Sequence, residues 1–303
     1  MKTIFNCMLG PALVMLAVQA CGRDEVPSAA ELLEDFCPAV SEILWDTTSV
    51  LAPGVSYNEI SLTTAGNVMQ HICIVAIEPD CGYGLNVVLP DNDTDISGGW
   101  RRQTLTSMAD VLEDEGMTVV AMTNADFWDT SEPINPRGPL HSCGKVVNSS
   151  WDYSDRVPQQ ALSFAGILTD GTPVIRDSSF YTAMKQELVQ CTGAGVIMLA
   201  DGEVTEDIYN LRDPRTAIGY DSDGTIWLLV ADGRGFSGAS GLTYREMGEM
   251  FRSLGCESAV NLDGGGSAQM LVRDPHTGMC RIANSPSDGR ERPVISGLAI
   301  IKK

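Results

Sequence analysis

From about Tyr57 to the C-terminus, apolar residues fall in short, β-branched runs bounded by glycine, aspartate and asparagine, which predicts strands separated by tight turns. The runs are Ile72–Ile77, Leu85–Leu89, Met117–Thr123, Leu162–Leu168, Gly195–Leu199, Ala217–Tyr220, Ile226–Val230, Ala259–Leu262, Gln269–Val272 and Pro293–Ile301. Asp170-Gly171, Asp201-Gly202 and Asp223-Gly224 lie between or beside such runs and carry hairpin chemistry.

Helical spacing is found in three places. Leu32, Leu33, Phe36, Val40, Ile43 and Leu44 predict a small helical prelude over residues 29–46, which Pro38 should break or kink. Thr106–Glu115 places Met108, Val111 and Leu112 on one face and stops at Gly116. Thr243–Leu254 opens on the capping box Thr243-Tyr244-Arg245-Glu246 and stops at Gly255. Strands outnumber helices and do not alternate with them, which argues against a doubly wound parallel sheet. The predicted class is α+β: a single domain with a mixed, strand-rich β-sheet core and a few flanking helices.

The N-terminus stands apart from this pattern. Lys2 precedes an apolar run, Met8 to Val18, that is too short to span a bilayer as a mature helix but suits an export signal over residues 1–20. Val18-Gln19-Ala20-Cys21 resembles a bacterial lipoprotein box in which Cys21 is the lipidation site; plain cleavage after Ala20 fits the same residues. Residues 21–56 then read as a lipid-anchored tether with the short helical prelude, and residues 57–303 as the folded domain. The expected location is exported, periplasmic or on the cell surface, with membrane contact through the lipid alone.

Composition narrows the chemistry. The 303 residues carry 40 Asp and Glu against 20 Lys and Arg, a formal charge of −20, and only Lys2 among the charged groups falls in the signal. Such a surface does not follow nucleic acid, which needs a local excess of cations. Three scattered histidines give no zinc-ligand pattern, and nothing in the chain calls for a cofactor. Beyond Cys7 and Cys21 the cysteines are Cys37, Cys73, Cys81, Cys143, Cys191, Cys256 and Cys280, an odd set at irregular spacing that reads mostly as small buried hydrophobes. One or two disulfides stay open in an exported protein.

Familiar catalytic patterns fail in turn. Gly193-Ala194-Gly195 needs glycine at 198 for a dinucleotide loop and has Met198. Asp91, Asp93 and Asp95 imitate an EF-hand opening, but Ile96 and Arg102 stand where glycine and a chelating glutamate belong. What survives is Asp263-Gly264-Gly265-Gly266-Ser267 at the end of the strand Ala259–Leu262, with the charged turns Asp213-Pro214-Arg215-Thr216 and Asp232-Gly233-Arg234 bordering strands in the same half of the chain. Three glycines admit positive φ and the approach of a ligand to bare N–H groups, an anion-binding concavity.

These blocks together, with Asn261-Leu262 before the glycines, Arg281-Ile282-Ala283-Asn284-Ser285-Pro286 and Arg292-Pro293-Val294, resemble the phosphodiester glycosidase family. Thr123-Asn124-Ala125-Asp126-Phe127-Trp128 is similar to that family's Asn-x-Gly-Phe-Phe segment, with Asp126 in place of the glycine and Trp128 in place of the second phenylalanine. The resemblance implies a hydrolase that cleaves a sugar-1-phosphodiester at the anomeric C–O bond. A different exported or surface polysaccharide linkage, and a non-catalytic glycan-binding module, are the alternatives. Motif position assigns acid/base work to Asp263, with Asp232 as the second carboxylate. Arg215, Arg234 and Arg292 are candidates to hold phosphate, because a guanidinium takes two phosphate oxygens at once. Asn124, Asn261 and Asn284 suit sugar hydroxyls or an acetamido group. Thr216, Gly264, Gly265, Gly266 and Ser267 complete the expected substrate contacts.

Overall fold

The computed structural model describes residues 27–205 and 211–303; the export signal and Cys21 lie outside the described residues. The chain opens with helix α1 (Ala29–Phe36) and three long strands, β1 (Val40–Ala52), β2 (Val55–Thr64) and β3 (Val68–Ile77). Then come β4 (Tyr83–Val88), α2 (Leu105–Asp114), β5 (Val119–Asn124), β6 (Leu140–Ser142), β7 (Lys145–Asn148), β8 (Ser163–Leu168) and β9 (Pro173–Asp177). The rest is α3 (Tyr181–Met184), β10 (Leu188–Ala194), β11 (Ile197–Ala200), β12 (Glu203–Val204), β13 (Arg215–Asp221), β14 (Ile226–Ala231), α4 (Tyr244–Ser253), β15 (Cys256–Asn261), β16 (Met270–Arg273), β17 (Cys280–Ile282) and β18 (Gly297–Lys302).

The class is α+β in one domain, strand-rich as the pattern predicts. An eight-stranded sheet runs β1-β2-β3-β14-β13-β15-β11-β12, and two five-stranded sheets run β7-β6-β10-β8-β9 and β17-β16-β5-β18-β4. The ladders between the described strands are antiparallel, so the sheets are of one kind rather than mixed. Period-two burial explains the layering. On β14, Leu228 and Val230 face a core shared with Val87, Val120 and Ile300 of one small sheet and Ala165 and Ile175 of the other. Leu229 faces the opposite way, into a second core capped by Leu33 of α1 and Met247 and Phe251 of α4. Helix α2 closes the far side of the β5 sheet through Leu105, Met108 and Leu112.

Local signals are met where sequence chemistry is strong. Thr243 and Glu246 exchange both bonds of the capping box, at 3.2 and 2.9 Å, and Gly116 and Gly255 take φ of +86° after α2 and α4. Asp170-Gly171, Asp201-Gly202 and Asp223-Gly224 turn β8 into β9, β11 into β12 and β13 into β14.

The helical prelude is corrected. Helix α1 stops at Phe36, before Pro38, and Val40, Ile43 and Leu44 belong to β1, which pairs along its length with β2. Residues 40–56 are therefore part of the large sheet, not a tether. The helical spacing misled because β1 is an edge strand whose Leu44, Trp45 and Val50 stay exposed, so burial imposes no alternation on it.

The buried Leu33 tests this boundary. Leu33→Ala is expected to cost about 2–5 kcal/mol, as for other fully buried leucines, read as a lower urea midpoint. A midpoint equal to wild type would mean that α1 does not pack against the domain.

Candidate active site

Antiparallel pairing brings the charged turns to one end of the large sheet. Arg215 at the start of β13 pairs with Ala231 at the end of β14, and Ala217 pairs with Asn261 at the end of β15. The end of β5 meets them from the small sheet through the Asn124 side chain. Its Nδ2 donates to the Asp263 carbonyl at 2.5 Å, while its Oδ1 accepts from Thr216 Oγ1 at 2.7 Å and from the Gln269 N–H at 3.2 Å. The Asp263 N–H donates in turn to the Ala125 carbonyl at 3.0 Å. Asp263 is thus fixed by its backbone on both sides, and its carboxyl is turned into a cleft of about 250 Å³.

That cleft is lined by Asp263, Gly264, Gly265, Gly266, Arg215, Arg234, Arg292, Asp213, Tyr244, Phe127, Gln159 and Gln160. Burial pushes the Asp263 carboxyl up to about 6, against the opposing pull of the Ser267 hydroxyl and the Arg292 charge. The group therefore changes charge within the range where an acid/base catalyst is useful.

The glycine run has a different use from the one its N–H groups suggest. The Gly265 N–H donates to the Pro214 carbonyl at 2.8 Å, and the N–H groups of Ser267 and Ala268 close a short turn on Gly264 and Gly265. Side-chain room is what the glycines supply. A Cβ on Gly265 would come within 2.8 Å of the Arg234 guanidinium, and one on Gly266 would collide with that of Arg292. A Cβ on Gly264 would lie 2.6 Å from the Pro214 carbonyl, and only Gly265 of the three has positive φ, +59°. The loop is bare so that two guanidinium groups can lie against it.

The three arginines are held in different ways. Arg234 makes two bonds to Asp213, at 2.8 and 3.0 Å, and Arg292 two to Asp288, also at 2.8 and 3.0 Å. Arg292 additionally reaches Ser267 Oγ at 3.3 Å. Arg215 is buried over the Tyr244 ring, 4.3 Å from its centroid, and donates to the Leu242 and Leu211 carbonyls and to the Tyr244 hydroxyl. Among the described residues no carboxylate pairs with Arg215, which lines the cleft. An anion is the ligand such a cleft favours.

Several expected contacts are elsewhere. Asp232 is corrected: it is fully buried outside the cleft, with its oxygens taken by His71 Nδ1 at 2.7 Å, Asn284 Nδ2 at 2.9 Å, Ser237 Oγ at 2.8 Å and the Ser285 N–H at 2.9 Å. It ties the turn bearing Arg234 to the segment before Arg292. Asn284 is likewise spent on Asp232, the Ala268 carbonyl and the Met270 N–H. Asn124 and Thr216 are buried braces of the Asp263 backbone, and Ser267 is a buried partner of Arg292. Asn261 is buried, with neither amide atom hydrogen-bonded among the described residues, and it does not line the cleft. The cleft residues that sequence reasoning missed are Phe127, Gln159, Gln160 and Tyr244; Tyr244 stood in the quoted capping box, whereas the two glutamines arrive on a loop with no motif. Asp91 and Asp93 are bridged by Arg101, at 2.6 and 2.9 Å. Among the described residues no cluster of three or more His, Cys, Asp or Glu is arranged to hold a metal ion.

A second carboxyl lies close behind Asp263. Asp126 is buried between Gly138 and Gly193; its Oδ2 accepts from the Gly138 N–H at 2.9 Å and its Oδ1 has no partner among the described residues. Burial first, and the neighbouring Asp263 charge after it, push the group up to about 8. The folded protein therefore keeps this proton at pH values where the unfolded chain, near its ordinary 3.8, has lost it. Stability should fall as pH rises from about 4 to about 8. Asp126→Asn is expected to flatten that part of the decline in thermal midpoint between pH 5 and pH 8; an unchanged slope would mean that Asp126 is ionised in the fold.

Comparison with known proteins agrees with this geometry. Residues 117–301, more than half of the chain, match the phosphodiester glycosidase family. The chain is 43% identical over 91 residues to the SPbeta prophage-derived uncharacterized protein YomE of Bacillus subtilis (strain 168), and 38% identical over 79 residues to the mouse N-acetylglucosamine-1-phosphodiester alpha-N-acetylglucosaminidase. These matches take in 30% and 26% of this chain but only 13% and 14% of the two relatives. Among solved structures, the zebrafish N-acetylglucosamine-1-phosphodiester alpha-N-acetylglucosaminidase catalytic domain, auto-inhibited by its pro-peptide, superposes with a TM-score of 0.64 at 19% identity, over 84% of this chain and 87% of that one. A provisionally named exported protein of Burkholderia pseudomallei K96243 gives 0.61 at 14%, over 87% and 98%. Among the described residues no helix is long and apolar enough to cross a membrane. On the family match, carried by the part of the chain that builds the cleft from Asn124 to Arg292, this chain belongs to the phosphodiester glycosidase family.

Proposed function

We propose that the protein hydrolyses a sugar-1-phosphodiester by breaking the bond between the anomeric carbon and the bridging oxygen. The observation that carries this reading is a carboxyl raised by burial, Asp263, in a cleft with three guanidinium groups. The other carboxylate lining the cleft, Asp213, is committed to Arg234 through both oxygens.

A glycosidase with a strongly basic leaving group needs one carboxyl to protonate it and another to activate water or attack carbon. A phosphomonoester has a second pKa near ~6, so it leaves with little help from an acid. Cations are the better aid, because negative charge builds on the departing phosphate. Arg215, Arg234 and Arg292 supply them, which leaves Asp263 free to act as base. Its ionised carboxylate takes a proton from water as the water oxygen bonds to the anomeric carbon. The carbon–oxygen bond breaks, its electron pair leaves with the phosphomonoester, and the proton on Asp263 returns to solvent. One carboxyl suffices because the leaving group is already an anion.

Incubation with a panel of sugar-1-phosphodiesters and plain α-glycosides tests the reading, with free sugar and a phosphomonoester as the expected products. Asp263→Asn is expected to lower the rate about 100- to 10,000-fold while preserving the unfolding midpoint. Because the base form is the active one, kcat/KM should rise with pH through about 6 and then level. A rate that falls through the same range would make Asp263 an acid instead.

A further inference from the structure

His71 on β3 stands between two carboxylates outside the cleft. Its Nδ1 lies 2.7 Å from Asp232 Oδ2, and its Nε2 lies 3.2 Å from Glu59 Oε1 on β2. Carboxylate oxygens accept, and a neutral imidazole has one N–H to give, so the two contacts are met together only by the imidazolium. The Asp232 bond raises the His71 pKa above its ordinary 6.5, against the opposing effect of burial. Trp45 of β1 stacks on the ring at 6.5 Å between centroids, and the Tyr57 hydroxyl reaches both Glu59 and Cys73. Burial pushes the Tyr57 phenol and the Cys73 thiol up, so both stay neutral; the charge of Arg281 on β17 is felt at Cys73.

The need for a cation here lies with Asp232. Its side chain is wholly buried, and its partners other than His71 are neutral: Asn284 Nδ2, Ser237 Oγ and the Ser285 N–H. A buried carboxylate stripped of its cation is costly, and the groups around it shift to relieve that cost. Those groups lead to the cleft. Asp232 begins the turn that presents Arg234, and Ser285 lies at the start of the segment that delivers Arg292. The turn is fastened to β3 by two bonds of 3.0 Å, from the Asp232 N–H to the His71 carbonyl and from the Ser240 N–H to the Met69 carbonyl. Turn and segment also touch, since a Cβ on Gly289 would lie 3.6 Å from the Phe236 ring.

Resting on the proposed reaction at the cleft, we propose that His71 is a positioning residue: as an imidazolium between Glu59 and Asp232 it supplies the buried Asp232 with its counter-charge, and Asp232 thereby sets Arg234 and Arg292 for the phosphate. The row Trp45, Ser61, His71 and Asp232 crosses β1, β2, β3 and the end of β14, so the large sheet contributes to anion binding from outside the cleft.

His71→Gln keeps a polar side chain and removes the charge. In the full chain it is expected to weaken binding of methyl phosphate at pH 6, read by calorimetric titration, by about 3- to 30-fold, the range through which residues one step removed from a ligand alter its binding. The ratio of wild-type to variant affinity should shrink towards one at pH 9.5, where wild-type His71 is itself neutral; groups that titrate in both proteins cancel in that ratio. Equal affinities at pH 6, or a loss of the same size at both pH values, would overturn the proposal, the second because it marks lost packing rather than lost charge. If His71→Gln lowers the unfolding midpoint, nitrogen NMR of the wild-type protein decides: His71 should show both ring nitrogens protonated at pH 6, and a neutral ring there would contradict the assignment. A pH-dependent loss of methyl phosphate affinity in a protein that hydrolyses no sugar-1-phosphodiester would sustain His71 as a positioning residue for an anion site and refute the reaction.

Discussion

One buried carboxamide holds the site together. Asn124 sits at the end of β5 in a small sheet, yet its three hydrogen bonds go to Thr216 of the large sheet, to the Gln269 backbone and to the carbonyl of Asp263. Two sheets that share an apolar core are also joined here by polar bonds, at the point where the Asp263 carboxyl emerges. A paired amide in a buried setting has no cheap alternative geometry, because each unmet donor or acceptor would carry its full desolvation cost. The position of Asp263 is therefore a property of the inter-sheet junction rather than of the glycine loop that follows it.

The same economy governs the charges. The protein carries an excess of carboxylates, and two of its cleft arginines are fixed by bidentate pairs with Asp213 and Asp288. Those pairs orient the guanidinium groups and reduce their net charge, while Arg215 lies above the Tyr244 ring. Glycines at 265 and 266 let Arg234 and Arg292 lie directly on the backbone beside Asp263. Cationic side chains are thus gathered at one place in a molecule of strongly negative net charge. The buried Asp232 contributes at one remove, since its bonds to Asn284 and Ser285 set the approach to Arg292 and its bond to Ser237 sets the turn of Arg234.

Much of this was legible in the sequence because it rests on short-range chemistry. The strand β15, the Asp-Gly-Gly-Gly-Ser turn, the capped helix α4 and the Asp-Gly hairpins each follow from neighbouring residues. The errors have long-range causes. Residues 40–46 carry helical spacing by accident on an edge strand, where packing does not select for alternation. Asp232 and Asp263 look alike in sequence, each an aspartate before glycine at a strand end; only the folded structure shows that one is bonded to His71, Asn284 and Ser285 while the other lines the cleft. Gln159 and Gln160 reach the cleft from a segment with no pattern at all. Asp126 and Trp128 were visible as departures from a family segment, but their burial appears only once the sheets are assembled.

In the proposed reaction water is activated at Asp263 for attack on a sugar carbon, with phosphate as the leaving group. Hydrolysis in heavy-oxygen water tests this most directly, because the bond that breaks decides which product takes up the label. The account predicts label in the anomeric hydroxyl of the released sugar and none in the phosphomonoester. Label in the phosphate would place the attack at phosphorus and contradict it.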